Sequence, residues 1–395
     1  MKMTIKCLKW MSLGMLVGIF TLTTFGTTSQ AAEPIKIGFT ISQSGRYADS
    51  GSYYKEAYLM WEEDVNAKGG LLGRPVKLVI YDDESSADKA VGLYERLISV
   101  DKVVLLLGPY TSTIIYPVGR IAEKHKMLLL QGGGTASKIF KAGFKYMFLT
   151  LPGFSEQHAI GFFEYLNTIP ANQWPKKAAV IYGDKSASIA NAKGEKDLAI
   201  KNGIPVALEE KYPPDATDLT SVISKAKNMG VDLLMAGTYF PDAVLIARTM
   251  AELNYKPKYV LLTAGVSDYK YGKNLGSLSN NIMGTAWWHD SIPFSREWTM
   301  KYKKRFGRLP DYHGSGAYAA AQILEEAVRA TGSLDNTVLR NYIVNHSFDT
   351  VIAQNLSFNE RGVPSYSMVT LQWQDGKLQV IWPPGAQTSK PRPYR

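Results

Sequence analysis

What most restricts the fold of this chain is a regular alternation of strand-sized and helix-sized apolar segments, run through twice. Short apolar strands are expected at 35–40, 76–81, 103–107 and 127–130. Between them, apolar residues at three- and four-residue spacing predict helices at about 52–67, 87–99 and 112–124. In the first of these helices Tyr54, Ala57, Tyr58, Trp61 and Val65 share one face, and Gly69-Gly70 ends it. After Leu151-Pro152-Gly153 a second series begins, with helix 155–168, strand 178–182, helix 188–202 and strand 205–210. It continues with a helix capped by Asp218 that reaches Met229, then strand 233–236, helix 242–253 and strand 259–262. Strands and helices that alternate with short connections form a mostly parallel sheet covered on both faces. Two such series in 395 residues predict an α/β protein of two lobes.

The two series share a local pattern. Val104-Leu105-Leu106-Leu107-Gly108-Pro109-Tyr110 and Asp232-Leu233-Leu234-Met235-Ala236-Gly237-Thr238-Tyr239 both read as strand, glycine, one residue, tyrosine, then helix. Each tyrosine thus leaves the carboxyl end of a strand, where open parallel sheets bind ligands. Three polar turns fall at the same end of the first series: Ser44-Gly45-Arg46-Tyr47, Tyr110-Thr111-Ser112 and Gly132-Gly133-Gly134-Thr135-Ala136. Hydroxyls together with N–H groups at a helix start suit a carboxylate. Glycines there let the backbone come close, since no Cβ intrudes. The hydroxyls are therefore expected to serve ligand affinity and not folding.

Chemistry that makes or breaks bonds finds no residue set. The only cysteine is Cys7, inside the N-terminal leader, so disulfides, thiolate metal sites and cysteine nucleophiles are excluded from the mature chain. His125, His158, His289, His313 and His346 are scattered without zinc-ligand spacing, and each is expected at the surface or in packing. There is no Gly-x-Ser-x-Gly elbow. The glycines at 132–134 lack the lysine and hydroxyl of a phosphate loop, and no helix-turn-helix precedes the first strand. No cofactor, no metal and no nucleic acid is expected.

The leader carries Lys2, Lys6 and Lys9 ahead of an apolar run from Met11 to Phe25, with small residues before Ala32. That is the pattern of a signal peptide over 1–31, cleaved near Ala31/Ala32, and the run is short for a membrane span. Cys7 stands before the apolar run, the wrong side for lipid attachment, so a soluble, unlipidated periplasmic protein is expected. The net charge of +10 falls to about +7 once those lysines leave. The remaining Lys and Arg are matched locally by Asp and Glu. Only 390–395 reads as a basic cluster, expected to be a solvated tail.

With these features the chain resembles the periplasmic branched-chain amino acid binding proteins, of the type I periplasmic binding fold. The resemblance rests on Ile37-Gly38 followed by Ser44-Gly45-Arg46-Tyr47-Ala48-Asp49-Ser50-Gly51, and on Asp64-Val65-Asn66-Ala67-Lys68-Gly69-Gly70 with Gly73 and Tyr81-Asp82-Asp83 downstream. Gly108, Ser112, Gly134-Thr135-Ala136, Tyr239, Tyr318-Ala319-Ala320 and Phe358-Asn359-Glu360-Arg361-Gly362 extend it over nearly all of the mature chain. It implies two Rossmann-like lobes with parallel central sheets, joined by three crossovers and closing on a ligand. The first lobe would comprise 33–153 plus 287–347, the second 154–286 plus 348–395. It further implies that Ser112, Gly133 and Thr135 hold a ligand carboxylate. Tyr47, Tyr110 and Tyr312 would line the ligand's body, and Tyr239 would close from the second lobe. A monomer serving the membrane permease of an ABC importer is the implied role; a periplasmic sensor subunit for a membrane kinase is the alternative. The chain departs from relatives that bind α-amino acids at Leu262-Thr263-Ala264-Gly265-Val266, where they commonly carry an acidic residue in place of Ala264. Asp184 and Asp268 are the nearest candidates by chain position to pair an ammonium. Lacking the usual counter-charge, the site favours an aromatic or other carboxylate beside the aliphatic amino acids.

Overall fold

The structure is a computed structural model in which residues 32–365 and 368–394 are described. The first series of elements runs β1 (Ile35–Thr40), α1 (Ala48–Ala67), β2 (Val76–Tyr81), α2 (Ala87–Ser99), β3 (Leu105–Leu107), α3 (Ser112–His125), β4 (Leu129–Gln131), α4 (Lys138–Lys141) and β5 (Met147–Leu149). Its strands form a wholly parallel sheet in the order β2-β1-β3-β4-β5. Strands β3, β4 and β5 are buried on both faces, which is why they read as continuous apolar runs and not as alternating ones.

The second series comprises α5 (Ile160–Leu166), β6 (Ala178–Gly183), α6 (Ser186–Lys201), β7 (Val206–Tyr212), α7 (Thr220–Asn228), β8 (Leu233–Gly237), α8 (Phe240–Glu252), β9 (Tyr259–Leu261), α9 (Lys270–Leu275) and β10 (Met283–Ala286). The expected helix 155–168 is broken into a 3₁₀ turn at Ser155–Gln157 and the shorter α5. The chain then returns to the first lobe as α10 (Arg296–Phe306), α11 (Tyr312–Thr331) and α12 (Asn336–Asn345). Helix α11 packs along α1, with Tyr318 Oη donating to Asp64 and Trp61 Nε1 donating to Glu325 at 3.0 Å.

Residues 347–362 also stay with the first lobe. A small hairpin of β11 (Ser347–Phe348) and β12 (Leu356–Ser357) sets Phe358 edge-on against Phe148, and Leu149 N–H donates to Gly362 O at 2.9 Å. Residues 347–362 thus pack with the first lobe, past the expected boundary at 347/348. Beyond them, β13 (Val369–Gln374) and β14 (Lys377–Trp382) join antiparallel to the second sheet, whose order is β14-β13-β10-β9-β8-β6-β7. The basic segment near the C-terminus is pinned, contrary to expectation. Gln372 Nε2 donates to Arg392 O at 2.7 Å, and Tyr394 N–H donates to Lys258 O at 2.8 Å.

Each sheet has a point where successive connections leave in opposite directions, between β1 and β3 in one and between β6 and β8 in the other. Crevices form outside the carboxyl ends of strands at such points. The four loops that meet there are those after β1, β3, β6 and β8.

Candidate functional site

These four loops converge. Asp82 and Asp83, at the end of β2, shape the loop after β1. Asp82 accepts from Gln43 N–H at 2.8 Å and Ser44 Oγ at 2.9 Å, and buried Asp83 accepts from Ser42 Oγ at 2.6 Å and Thr40 Oγ1 at 2.8 Å. The loop so fixed presents Arg46 and Tyr47. The Tyr47 ring meets that of Tyr110, from the loop after β3, at 5.8 Å, and that of Tyr239, from the loop after β8, at 5.3 Å. Tyr110 and Tyr239 stand edge-on at 6.2 Å. The shared pattern in the two halves thus sets one tyrosine from each lobe edge-on against the other. Offset and edge-on aromatic pairs of this kind add to the burial of the rings.

Ion pairs cross between the lobes at the rim. The Arg46 guanidinium pairs with Asp242 on α8 and, at 3.4 Å, with Asp215. Lys270 of α9 pairs with Asp49 of α1. Burial pushes the Asp242 carboxyl up against the opposing pull of Arg46. The lobes are closed on each other.

Beneath the rim lies a narrow cavity of about 20 Å³, close to the space one water fills. From the first lobe it is lined by Tyr110, Gly133, Thr135 and Tyr312, and from the crossovers by Leu151, Ser155, His158 and Trp287. The second lobe contributes Ala187 and Ser188, Asn191, Thr238, Tyr239 and Ala264. The lining holds no Asp, Glu, Lys or Arg. Its polar groups are hydroxyls, one amide and one imidazole. At Gly133 any Cβ would stand 2.6 Å from Tyr54 Oη and 2.8 Å from Tyr110 Cδ2, so only glycine lets these rings approach.

The N–H groups of the glycine turn are already occupied. Gly133 and Gly134 N–H donate to Gln131 Oε1 at 2.8 and 2.6 Å, while Thr135 and Ala136 N–H donate to Ser112 Oγ at 3.0 and 3.2 Å. Ser112 is therefore one hydrogen bond behind the wall, holding the turn. Thr135 Oγ1 is at the wall and meets Ser155 Oγ at 2.7 Å. Tyr47 likewise stands behind Tyr110 and Tyr239, and burial pushes its phenol up to about 12.

Neither acidic candidate reaches the cavity. Asp184 lies at the surface and pairs with Lys211 at 3.0 Å. Asp268 is buried elsewhere, accepting from Lys270 N–H at 2.7 Å and, across the lobe interface, from Tyr53 Oη at 3.4 Å. Burial, reinforced by the negative Asp311, pushes its carboxyl up to about 6.

Sequence reasoning missed Ser155, His158, Ser188, Asn191 and Trp287. His158 bonds through Nδ1 to Thr285 Oγ1 and meets Trp287 edge-on at 4.7 Å; burial holds its imidazole down to about 3, so it is neutral. Trp287 donates its indole N–H to Gly153 O at 3.0 Å.

A family profile described as "Periplasmic binding protein" matches residues 34–377. The chain belongs to the periplasmic binding protein family. Among curated relatives, a "Leu/Ile/Val-binding protein homolog 7" of Brucella suis is 26% identical over 385 residues, covering 92% of this chain and 94% of that protein. Among solved structures, a leucine binding protein of Thermotoga maritima superposes with a TM-score of 0.79 at 20% identity, over 88% of this chain and 97% of that one. A solute binding protein of an ABC transporter from R. palustris, in complex with benzoate, also gives 0.79, at 18% identity over 88% and 95%. The fold is thus the two-lobed type I periplasmic binding fold, one shared by solute-binding proteins.

Proposed function

We propose that this protein is a periplasmic receptor that captures a small carboxylate between its lobes and delivers it to an ABC-type importer. The observation that carries the reading is the uncharged cavity at the meeting point of both switch-point crevices, walled by tyrosines and hydroxyls from the two lobes. Thr135 and Ser155 are the hydroxyl donors at the wall, and Ser112 fixes the turn that carries Thr135. Tyr110, Tyr239, Tyr312 and Trp287 enclose the ligand's body.

The ligand has no α-ammonium in this reading. A buried ammonium without a counter-charge is costly, and Ala264 stands in the lining with no carboxylate beside it there. An aromatic carboxylate therefore ranks ahead of leucine, which agrees with benzoate being bound by one structural relative; leucine, named for another, remains the comparison. Capture is reversible and makes no bond. The mature chain begins near Ala32, acts as a monomer and meets a membrane permease when loaded. Native mass spectrometry of the freshly purified protein, followed by a thermal-shift screen of benzoates, phenylpropanoid acids and branched-chain amino acids, tests the reading. Stabilisation by leucine alone would refute the aromatic assignment, and binding of no carboxylate would refute the function.

A further inference from the structure

Helix α6 buries a polar face where a sheet-covering helix ordinarily carries apolar residues. Ser188, Asn191 and Glu195 follow one another at three- and four-residue spacing, all turned inward. Asn191 Oδ1 and both carboxyl oxygens of Glu195 are buried without a hydrogen-bond partner. Unsatisfied buried polar groups are rare in native structures and call for an explanation. For Asn191 one is at hand, because it lines the cavity with Ser188, whereas Glu195 does not.

The opposing wall is brought close by Gly194. A Cβ there would stand 1.9 Å from the Glu156 carbonyl oxygen, so only glycine allows α6 to press against the turn that carries Ser155 and His158. Across this contact the Asn191 amide and the His158 imidazole share one cavity. Thr285 occupies His158 Nδ1, which leaves Nε2 as the remaining ring nitrogen.

Resting on the carboxylate reading above, we propose that Asn191 and His158 are the specificity-determining residues of the cavity, and that they select ligands carrying a hydroxyl in addition to the carboxylate. A hydroxyl both donates and accepts, so it satisfies the amide in either orientation and the imidazole in either neutral tautomer. An ammonium only donates, and its charge needs a carboxylate. Glu195 lies one turn behind Asn191. Burial pushes its carboxyl above the ordinary range, and it does not line the cavity.

Calorimetric titration of the mature protein with benzoate, 3-hydroxybenzoate, 4-hydroxybenzoate and phenylalanine tests this. One of the two hydroxybenzoates is expected to bind roughly tenfold or more tightly than benzoate, since an analogue lacking the hydroxyl leaves buried polar groups unpaired. That ratio should fall toward one in Asn191→Leu and in His158→Phe, with unliganded melting curves reporting whether each has folded. If either misfolds, Asn191→Ala and His158→Gln take their place. Equal binding of benzoate and both hydroxybenzoates overturns the selectivity, as does a preference that survives in the variants. Tight phenylalanine binding that is lost in Glu195→Gln would make Glu195 an ammonium partner and overturn it also. Binding of none of these acids fails the carboxylate reading itself, a result distinct from equal binding.

Discussion

Replacing Ser112 with alanine should unfold part of this protein's margin of stability, with or without ligand. Ser112 Oγ accepts two backbone N–H bonds, from Thr135 at 3.0 Å and Ala136 at 3.2 Å, and all three residues are buried. Alanine leaves both donors unpaired where water has poor access. Each buried unsatisfied donor costs about 1–3 kcal/mol, so about 3 kcal/mol is the expected total, the longer bond contributing less. Unfolding entropy of about 2.1 cal/mol/K per residue, applied to one lobe or to the whole chain, turns this into a fall of roughly 4–8 °C in melting temperature. Differential scanning calorimetry of the unliganded protein measures it. Thr135→Val is the control, because it deletes one hydroxyl contact with Ser155 and no backbone partner; its fall should be about a third as large. If Ser112→Ala melts with the wild type while its ligand affinity drops, Ser112 touches the ligand directly and its supporting role is wrong.

Three further outcomes are expected. Asp268 keeps its proton up to about pH 6 in the folded protein and only to its ordinary value near 3.8 when unfolded, so stability falls as pH rises between the two. Asp268→Asn, which retains the acceptor for Lys270 N–H, should therefore gain on the wild type as pH rises from 4 to above 6, as melting curves over pH 4–8 will report. Arg46→Gln removes the ion pairs to Asp242 and Asp215 that span the rim, and should speed ligand release several-fold in stopped-flow measurements. Unchanged release would mean that the rim pairs do not hold closure. Asp184→Asn, remote from the cavity, should leave calorimetric affinity unchanged, and a tenfold loss would return Asp184 to the site.

The sequence made the lobes legible because parallel strands buried on both faces leave unbroken apolar runs, and because their order puts the Tyr47, Tyr110 and Tyr239 loops at one end. It left two things hidden. Helix α6 has no clean apolar stripe: its outer face carries Lys193, Lys196 and Asp197, and its buried side mixes Ser188, Asn191 and Glu195 with Ala190, Ala192 and Ala199. Such a mixture gives no sign of which side faces a ligand. His158 reads as an isolated histidine because its partners, Thr285 and Trp287, are more than a hundred residues away. For a related reason the role of Ser112 is not legible in the sequence. A serine at a helix start looks the same whether its hydroxyl meets a ligand or a neighbouring loop, and only the position of Thr135 and Ala136 distinguishes the two.

Trp287 sits on the second crossover, holds the first crossover through the Gly153 carbonyl, and turns its ring into the cavity wall beside His158 and Tyr312. If cargo is held as proposed, it rests against the link between the lobes as well as between the lobes themselves. The surroundings of the Trp287 ring would then differ between the empty and the loaded protein, and indole emission, which depends on those surroundings, would report the difference in solution.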